Sequence, residues 1–177
     1  SRRLDNRNLE MVNNDNALVA GIDGWSFFGK ERDWALMGKM AWSRIAGSEE
    51  RMSRIQQSSN HYYQRPDYES VEFDPDRTSL SGWMGRFGLK KMRGKFTGQA
   101  ALGILSPGFN VNDLGYSSRT NVINYHAVAG YRWLKPTSWY RRIYLNLMGS
   151  QNRDFDNNLT FQQVYGTTTI IFPNYYS

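Results

Sequence analysis

Alternation of apolar and polar side chains over unusually long stretches constrains this chain more than any other feature. Residues 34 to 43 put Trp34, Leu36, Gly38, Met40 and Trp42 on one side and Ala35, Met37, Lys39, Ala41 and Ser43 on the other. Residues 96 to 104 set Phe96, Gly98, Ala100, Leu102 and Ile104 against Thr97, Gln99, Ala101 and Gly103. Residues 123 to 133 set Ile123, Tyr125, Ala127, Ala129, Tyr131 and Trp133 against Asn124, His126, Val128, Gly130 and Arg132. Residues 143 to 150 set Ile143, Leu145 and Leu147 against Tyr144, Asn146, Met148 and Ser150. A period of two is that of a strand with one apolar and one polar face. The pattern predicts seven strands, at about 16–28, 33–45, 80–91, 95–105, 121–133, 140–151 and 159–172. They are about twice the ~5–6 residues of an ordinary strand and reach the ~9–11 residues that a transmembrane strand needs.

The connections add an asymmetry. Residues 29–32, 92–94 and 134–138 make short turns, whereas 46–79 and 106–120 are long loops and 152–158 is intermediate. In an antiparallel meander, alternate connections lie at opposite ends, so short turns gather at one end and long loops at the other. Outer-membrane barrels have this form. Aromatic residues crowd the short turns: Trp25, Phe27, Phe28 and Trp34 at the first, Tyr131, Trp133, Trp139 and Tyr140 at the third. They suit a membrane-interface girdle; the plainer reading is cross-strand aromatic pairing in a soluble sheet. The expected fold is therefore all-β: an antiparallel up-and-down transmembrane β-barrel, a segment of about seven to eight long strands from a larger barrel. Residues 1–177 form one such segment, with loops 46–79 and 106–120 extracellular.

Composition agrees once faces are separated. A mean hydropathy of −0.67 is what a barrel with an apolar outside and a polar inside averages to. No apolar run approaches the ~20 residues of a membrane helix. With no Cys, disulfides, thiolate metal sites and thiol nucleophiles are excluded. The net charge of +6 raises nucleic-acid binding, but the basic residues are scattered, except for Lys90, Lys91, Arg93 and Lys95 around one tight turn. There they suit snorkelling towards lipid head groups, and no nucleic-acid partner is expected. Ser1 and the unfinished strand near Ser177 point to a piece of a longer chain.

Within the first long loop, Ser48-Glu49-Glu50 opens a short helix, with Ser48 as N-cap and Met52, Ile55 and Ser59 on a shared face. Arg65-Pro66-Asp67 and Asp74-Pro75-Asp76 break regular structure. Arg65, Asp67, Asp74, Asp76, Arg77 and Asp113 are expected to structure the loops, Asp74 and Asp76 as turn acceptors paired with Arg77 or Arg65.

Candidate chemistry is sparse. His61 and His126 are too few and too far apart in sequence to form a zinc site. Glu69, Glu72, Asp74 and Asp76 could hold calcium but lack the glycine and closing bidentate Glu of an EF-hand. No cofactor is expected, calcium in the loops being the one candidate. No nucleophile elbow, phosphate loop or dinucleotide fingerprint is present, and catalysis is not expected. Charges facing lipid would cost ~2–4 kcal/mol at the midplane. Lys39, Arg86, Lys90, Gln99, Asn124, His126, Arg132, Asn146, Gln163 and Tyr165 are therefore expected to line the lumen, either solvating it or forming a solute path.

Several segments carry a family resemblance. They are Tyr63-Gln64-Arg65-Pro66-Asp67, Phe73-Asp74-Pro75-Asp76-Arg77-Thr78-Ser79-Leu80-Ser81-Gly82 and Ser106-Pro107-Gly108-Phe109-Asn110-Val111-Asn112-Asp113-Leu114-Gly115-Tyr116, with Phe172-Pro173-Asn174-Tyr175-Tyr176-Ser177 at the close. In this order and spacing the chain resembles the C-terminal β-barrel domain of unknown function in bacterial outer-membrane proteins whose N-terminal domain is carbohydrate-binding family 9-like. The resemblance spans the chain, departing where Tyr175-Tyr176 stands for a more usual Tyr-Trp. It implies a bacterial outer-membrane location, lipid as a partner and a sugar-binding-like domain upstream. It carries no catalytic or binding residue over to this chain. The expected role is surface binding or passage of a solute, saccharide-related through the upstream domain. The alternatives are a soluble antiparallel barrel or sandwich acting as a binding module, and a membrane-anchor subunit that joins other subunits in a larger surface assembly.

Overall fold

The structure, a computed structural model, describes residues 13–174. Ser1 and the Tyr175-Tyr176-Ser177 that closes the resemblance lie outside the described residues. One antiparallel sheet of seven strands runs in sequence order: β1 (Asn16–Phe28), β2 (Trp34–Ala46), β3 (Ser79–Lys91), β4 (Phe96–Leu105), β5 (Val122–Trp133), β6 (Arg142–Arg153) and β7 (Leu159–Ile171). Each strand lies within two residues of its expected bounds. Over such lengths, alternation outweighs local turn propensity.

Within the described residues the sheet is open and does not close into a barrel. β1 and β7 are the two edges of an open sheet. In a seven-strand meander the first and last strands run the same way, so no antiparallel ladder can join them directly.

Each step of the ladder pairs residues that point to the same side. Trp34 faces Lys91, Leu36 faces Leu89, Lys39 faces Arg86 and Trp42 faces Trp83. Followed across all seven strands, the register divides the sheet into an apolar and a polar face. The turns joining β1 to β2, β3 to β4 and β5 to β6 lie at one end, the turn end. The long loops lie at the other, the loop end.

Helix α1 (Glu49–Gln57) follows β2. The Arg51 backbone N–H donates to the Ser48 side chain at 3.2 Å, and Glu49 and Glu50 sit in the first turn, where acids favour the helix dipole. Its buried residues are Met52, Ile55 and Gln56. Ser59, expected on that face, lies beyond the helix end, because Ser58 stops the helix with an extended backbone. Met52 and Ile55 pack with Ile45, Leu80 and Tyr63 into a small core, with Ala17, Val71 and Phe73 against it. Among the described residues no helix is long and apolar enough to cross a membrane.

Candidate functional site

All ten residues expected to line a lumen fall on the polar face. Asp23 opposes Lys39, Lys39 opposes Arg86, and Lys90 opposes Gln99. Further across, Asn124 opposes Asn152 and Met148 opposes Tyr165. Hydrogen bonds tie this side of the sheet together. Asn124 Nδ2 donates to Asn152 Oδ1 at 2.6 Å, and Gln163 Nε2 donates to Ser150 Oγ at 3.3 Å. The Gln99 amide and His126 Nε2 lie 3.1 Å apart. Asn146 Nδ2 reaches Thr167 Oγ1 at 3.5 Å. Arg132 sits at the turn end, where its guanidinium donates to the Met92 carbonyl at 2.9 Å and to the Gly94 carbonyl at 2.7 Å. It clasps the tight turn instead of standing in the middle of the face.

The opposite face carries no charge along the middle of any strand. Its charged residues, Arg44, Lys91 and Arg153, lie at or near strand ends. Between them stand large apolar side chains, including Ile22 at 75%, Leu147 at 58% and Val164 at 70% exposure. Rings bound this zone at both ends. At the turn end Phe28 stacks on Trp34, and Tyr131 sits edge-on between Phe96 and Trp133, 4.7 and 4.5 Å away. At the loop end Trp42 opposes Trp83, and Trp83 meets Phe155 edge-on. Trp42 is eight residues from Trp34, about 26 Å along a strand. Trp25 and Phe27, expected among the same rings, do not share this face. They oppose Met37 and Ala35 and share the polar face with Lys39. Their odd positions separate them from Phe28, a parity that clustering by sequence distance overlooks.

The long loops fold back onto the loop end of the polar face. The segments that carry the family resemblance meet there. A Cβ on Gly82 would fall on the backbone of Gly108 and Phe109, and one on Gly108 would fall on the Ser81 carbonyl oxygen. Only paired glycines allow strand and loop to cross so closely. The Trp83 N–H donates to Ser106 Oγ at 2.7 Å, and the Asn110 N–H donates to Ser43 Oγ at 2.9 Å. Buried His61 sits between the two loops. Its Nδ1 donates to the Pro107 carbonyl at 2.8 Å, because that oxygen can only accept. Nε2 then accepts from Asn110 Nδ2 at 3.1 Å. Burial pushes its pKa below the ordinary imidazole value, the Pro107 hydrogen bond opposing in part.

The loop-structuring candidates divide. Arg65 pairs with Asp67 and stacks over Tyr68. Asp74 Oδ1 accepts the Asp76 N–H at 3.1 Å, and Asp74 Oδ2 pairs with Arg77 at 3.4 Å. Asp113 Oδ2 accepts from Asn14 Nδ2 at 2.7 Å, and Asn14 Oδ1 accepts from Arg51 Nε at 2.9 Å. Sequence reasoning missed two residues here. Gln56 brackets Asp74, donating to its carbonyl at 2.8 Å and accepting its N–H at 3.0 Å. Buried Asp154 Oδ1 accepts the Asp156 and Asn158 N–H groups, at 3.1 and 2.8 Å. The turn chemistry of Asp154 to Asn158 was a readable signal; for Gln56 there was none, since its partner lies far along the chain. Among the described residues no three acidic or histidine side chains converge to hold a metal ion.

The basic turn is partly neutralised by its neighbour. Lys91 pairs with Asp33 at 2.9 Å and Arg93 with Glu31 at 3.6 Å. The Lys91 ammonium also lies 5.1 Å from the Trp34 ring centroid.

No curated protein and no solved structure matches the chain. A family model matches residues 15–174, from just before β1 to just beyond β7. The chain therefore belongs to the family described as a domain of unknown function (DUF5916).

Proposed function

We propose that this sheet is a section of the wall of a bacterial outer-membrane β-barrel, with its apolar face to lipid and its polar face to a lumen. One observation carries the reading: where the long loops fold back, at the loop end, they pack on the polar face and leave the apolar face bare. A soluble protein gains most by spending an insertion such as residues 47–78 on its apolar surface, since contiguous apolar patches beyond a few hundred Å² are rare in soluble monomers. Here the insertion packs against Ile45 and Leu80 on the other side. The uncharged zone bounded by rings suits a hydrocarbon layer between two interfaces.

In this reading the loop end is extracellular and the turn end periplasmic. The protein binds or passes a solute at the cell surface and performs no catalysis within this chain. Neighbouring strands extend the wall at the β1 and β7 edges. The link to saccharides rests on resemblance to proteins with a sugar-binding-like domain.

The second reading is a soluble sandwich, in which another layer covers the apolar face; the open sheet favours it. Residues 1–177 contain no Cys, which allows a direct test with the unsubstituted full-length protein as background. Single cysteines at Ile22, Leu147 or Val164 and at Gln163 or Tyr165 are introduced into the full-length protein in native outer membranes. A water-soluble maleimide is expected to label the polar-face set, while lipid-borne nitroxide quenches a fluorophore only on the apolar-face set. Recovery in the periplasm, or equal labelling of both sets, overturns the proposal.

A further inference from the structure

The polar face carries an arrangement that hydrogen bonding within the sheet does not explain. Lys39 and Arg86 stand directly opposite each other, and like charges in that relation are destabilising. Asp23 opposes Lys39 on its other side. On the far side of Arg86 the row continues with Gly103 and then Asn124, so no acidic side chain opposes the guanidinium across the sheet. One register step away lie Trp25, 69% exposed, and then Met37, Gly88 and Ala101. Trp25, Lys39, Arg86 and Gln99 border a cavity of about 330 Å³ floored by Gly88 and Ala101.

We propose that this cavity is a binding site for an acidic oligosaccharide, one whose sugar rings carry carboxylate groups. Arg86 and Lys39 supply two cations to one anionic group. The guanidinium fork can hold a carboxylate by two parallel hydrogen bonds, and the bound anion removes the repulsion between the pair. Trp25 offers an exposed ring face on which the apolar C–H side of a sugar can lie. Asp23 and Gln99 can accept and donate hydrogen bonds to ring hydroxyls. The small residues between them leave the ring room against the sheet. An inorganic anion would use the cations and have no use for the tryptophan.

The site deepens the solute-binding reading above, although it stands on the polar face whether that face lines a lumen or meets free solvent. The test is calorimetric titration of the full-length protein in detergent with trigalacturonate, with maltotriose as a neutral probe and sodium sulfate as an inorganic one. Saturable binding of trigalacturonate is expected. Lys39→Gln or Arg86→Gln should weaken it about tenfold or more, and Trp25→Leu about three- to tenfold. Lys135→Gln, in a turn outside the cavity, should leave it unchanged. Unchanged gel mobility shifts on heating check that each variant is folded. Absent saturable binding, binding indifferent to Lys39 and Arg86, or equal binding of maltotriose overturns the proposal. So does sulfate binding of equal strength that ignores Trp25. A silent titration beside two-sided cysteine labelling rejects only this site. Equal labelling of both faces beside a positive titration rejects only the barrel.

Discussion

At the loop end the chain covers itself. Met52 and Ile55 of α1 close over Ile45 and Leu80, Gly82 and Gly108 bring two backbones together, and His61 is enclosed between loops. In the middle of the sheet nothing in the described residues is laid over either face. Ile22, Leu147 and Val164 stand exposed on one side and Lys39 and Arg86 on the other. The loop end therefore has a small core of its own and draws stability from its own packing. The middle depends on its surroundings.

The sharpest way to break this contrast is to put a side chain where two backbones cross. Gly82→Val should cost about 3 kcal/mol or more, because neither strand nor loop can yield. Gly24→Ala, on the open apolar face with nothing near its Cβ position, should stay within about 0.5 kcal/mol. Urea unfolding in lipid vesicles measures both, and equal effects would dissolve the distinction. Next comes charge placement. Leu147→Arg should cost ~2–4 kcal/mol in a bilayer, and Gln163→Arg on the other face about 0.5 kcal/mol or less. A soluble sheet with free faces would show little difference between them.

Two smaller effects probe the loop cap alone. Gln56→Ala strips both backbone partners from Asp74 and should cost about 1–3 kcal/mol. It should be visible as faster proteolysis within residues 47–78, while the strands stay intact. The smallest effect is expected from His61. Its folded-state pKa lies below the ordinary 6.5, so the folded state favours the neutral ring. That contribution is complete above about pH 6.5 and is lost as pH falls through the folded value. Protonation would also place a second N–H against the Asn110 amide. Cleavage of the loops should accelerate as pH falls below about 6.5 in the native protein and be flat there in His61→Gln.

Much of this was legible beforehand. The parity of Trp34, Leu36, Met40 and Trp42 is a local property, and so is the Ser48 cap with its two acids. The same parity rule would have separated Trp25 and Phe27 from the face of Phe28 and Trp34, since each differs from the even positions by an odd number. The Gly82–Gly108 crossing could be seen only as two motifs in order, because nothing local says that a strand and a distant loop must touch.

Sequence alone thus determined the strands, the division of side chains into two faces and the placement of long loops at one end. A strand's period and an antiparallel meander's connectivity are set residue by residue. Tertiary structure decided the rest. Register placed Lys39 beside Arg86 and one step from Trp25, because which residues oppose one another depends on how whole strands slide. Folding of the loops decided that the loop end would be covered on the polar face and not on the apolar one. That choice depends on contacts between residues far apart in the chain, where period and propensity have no reach.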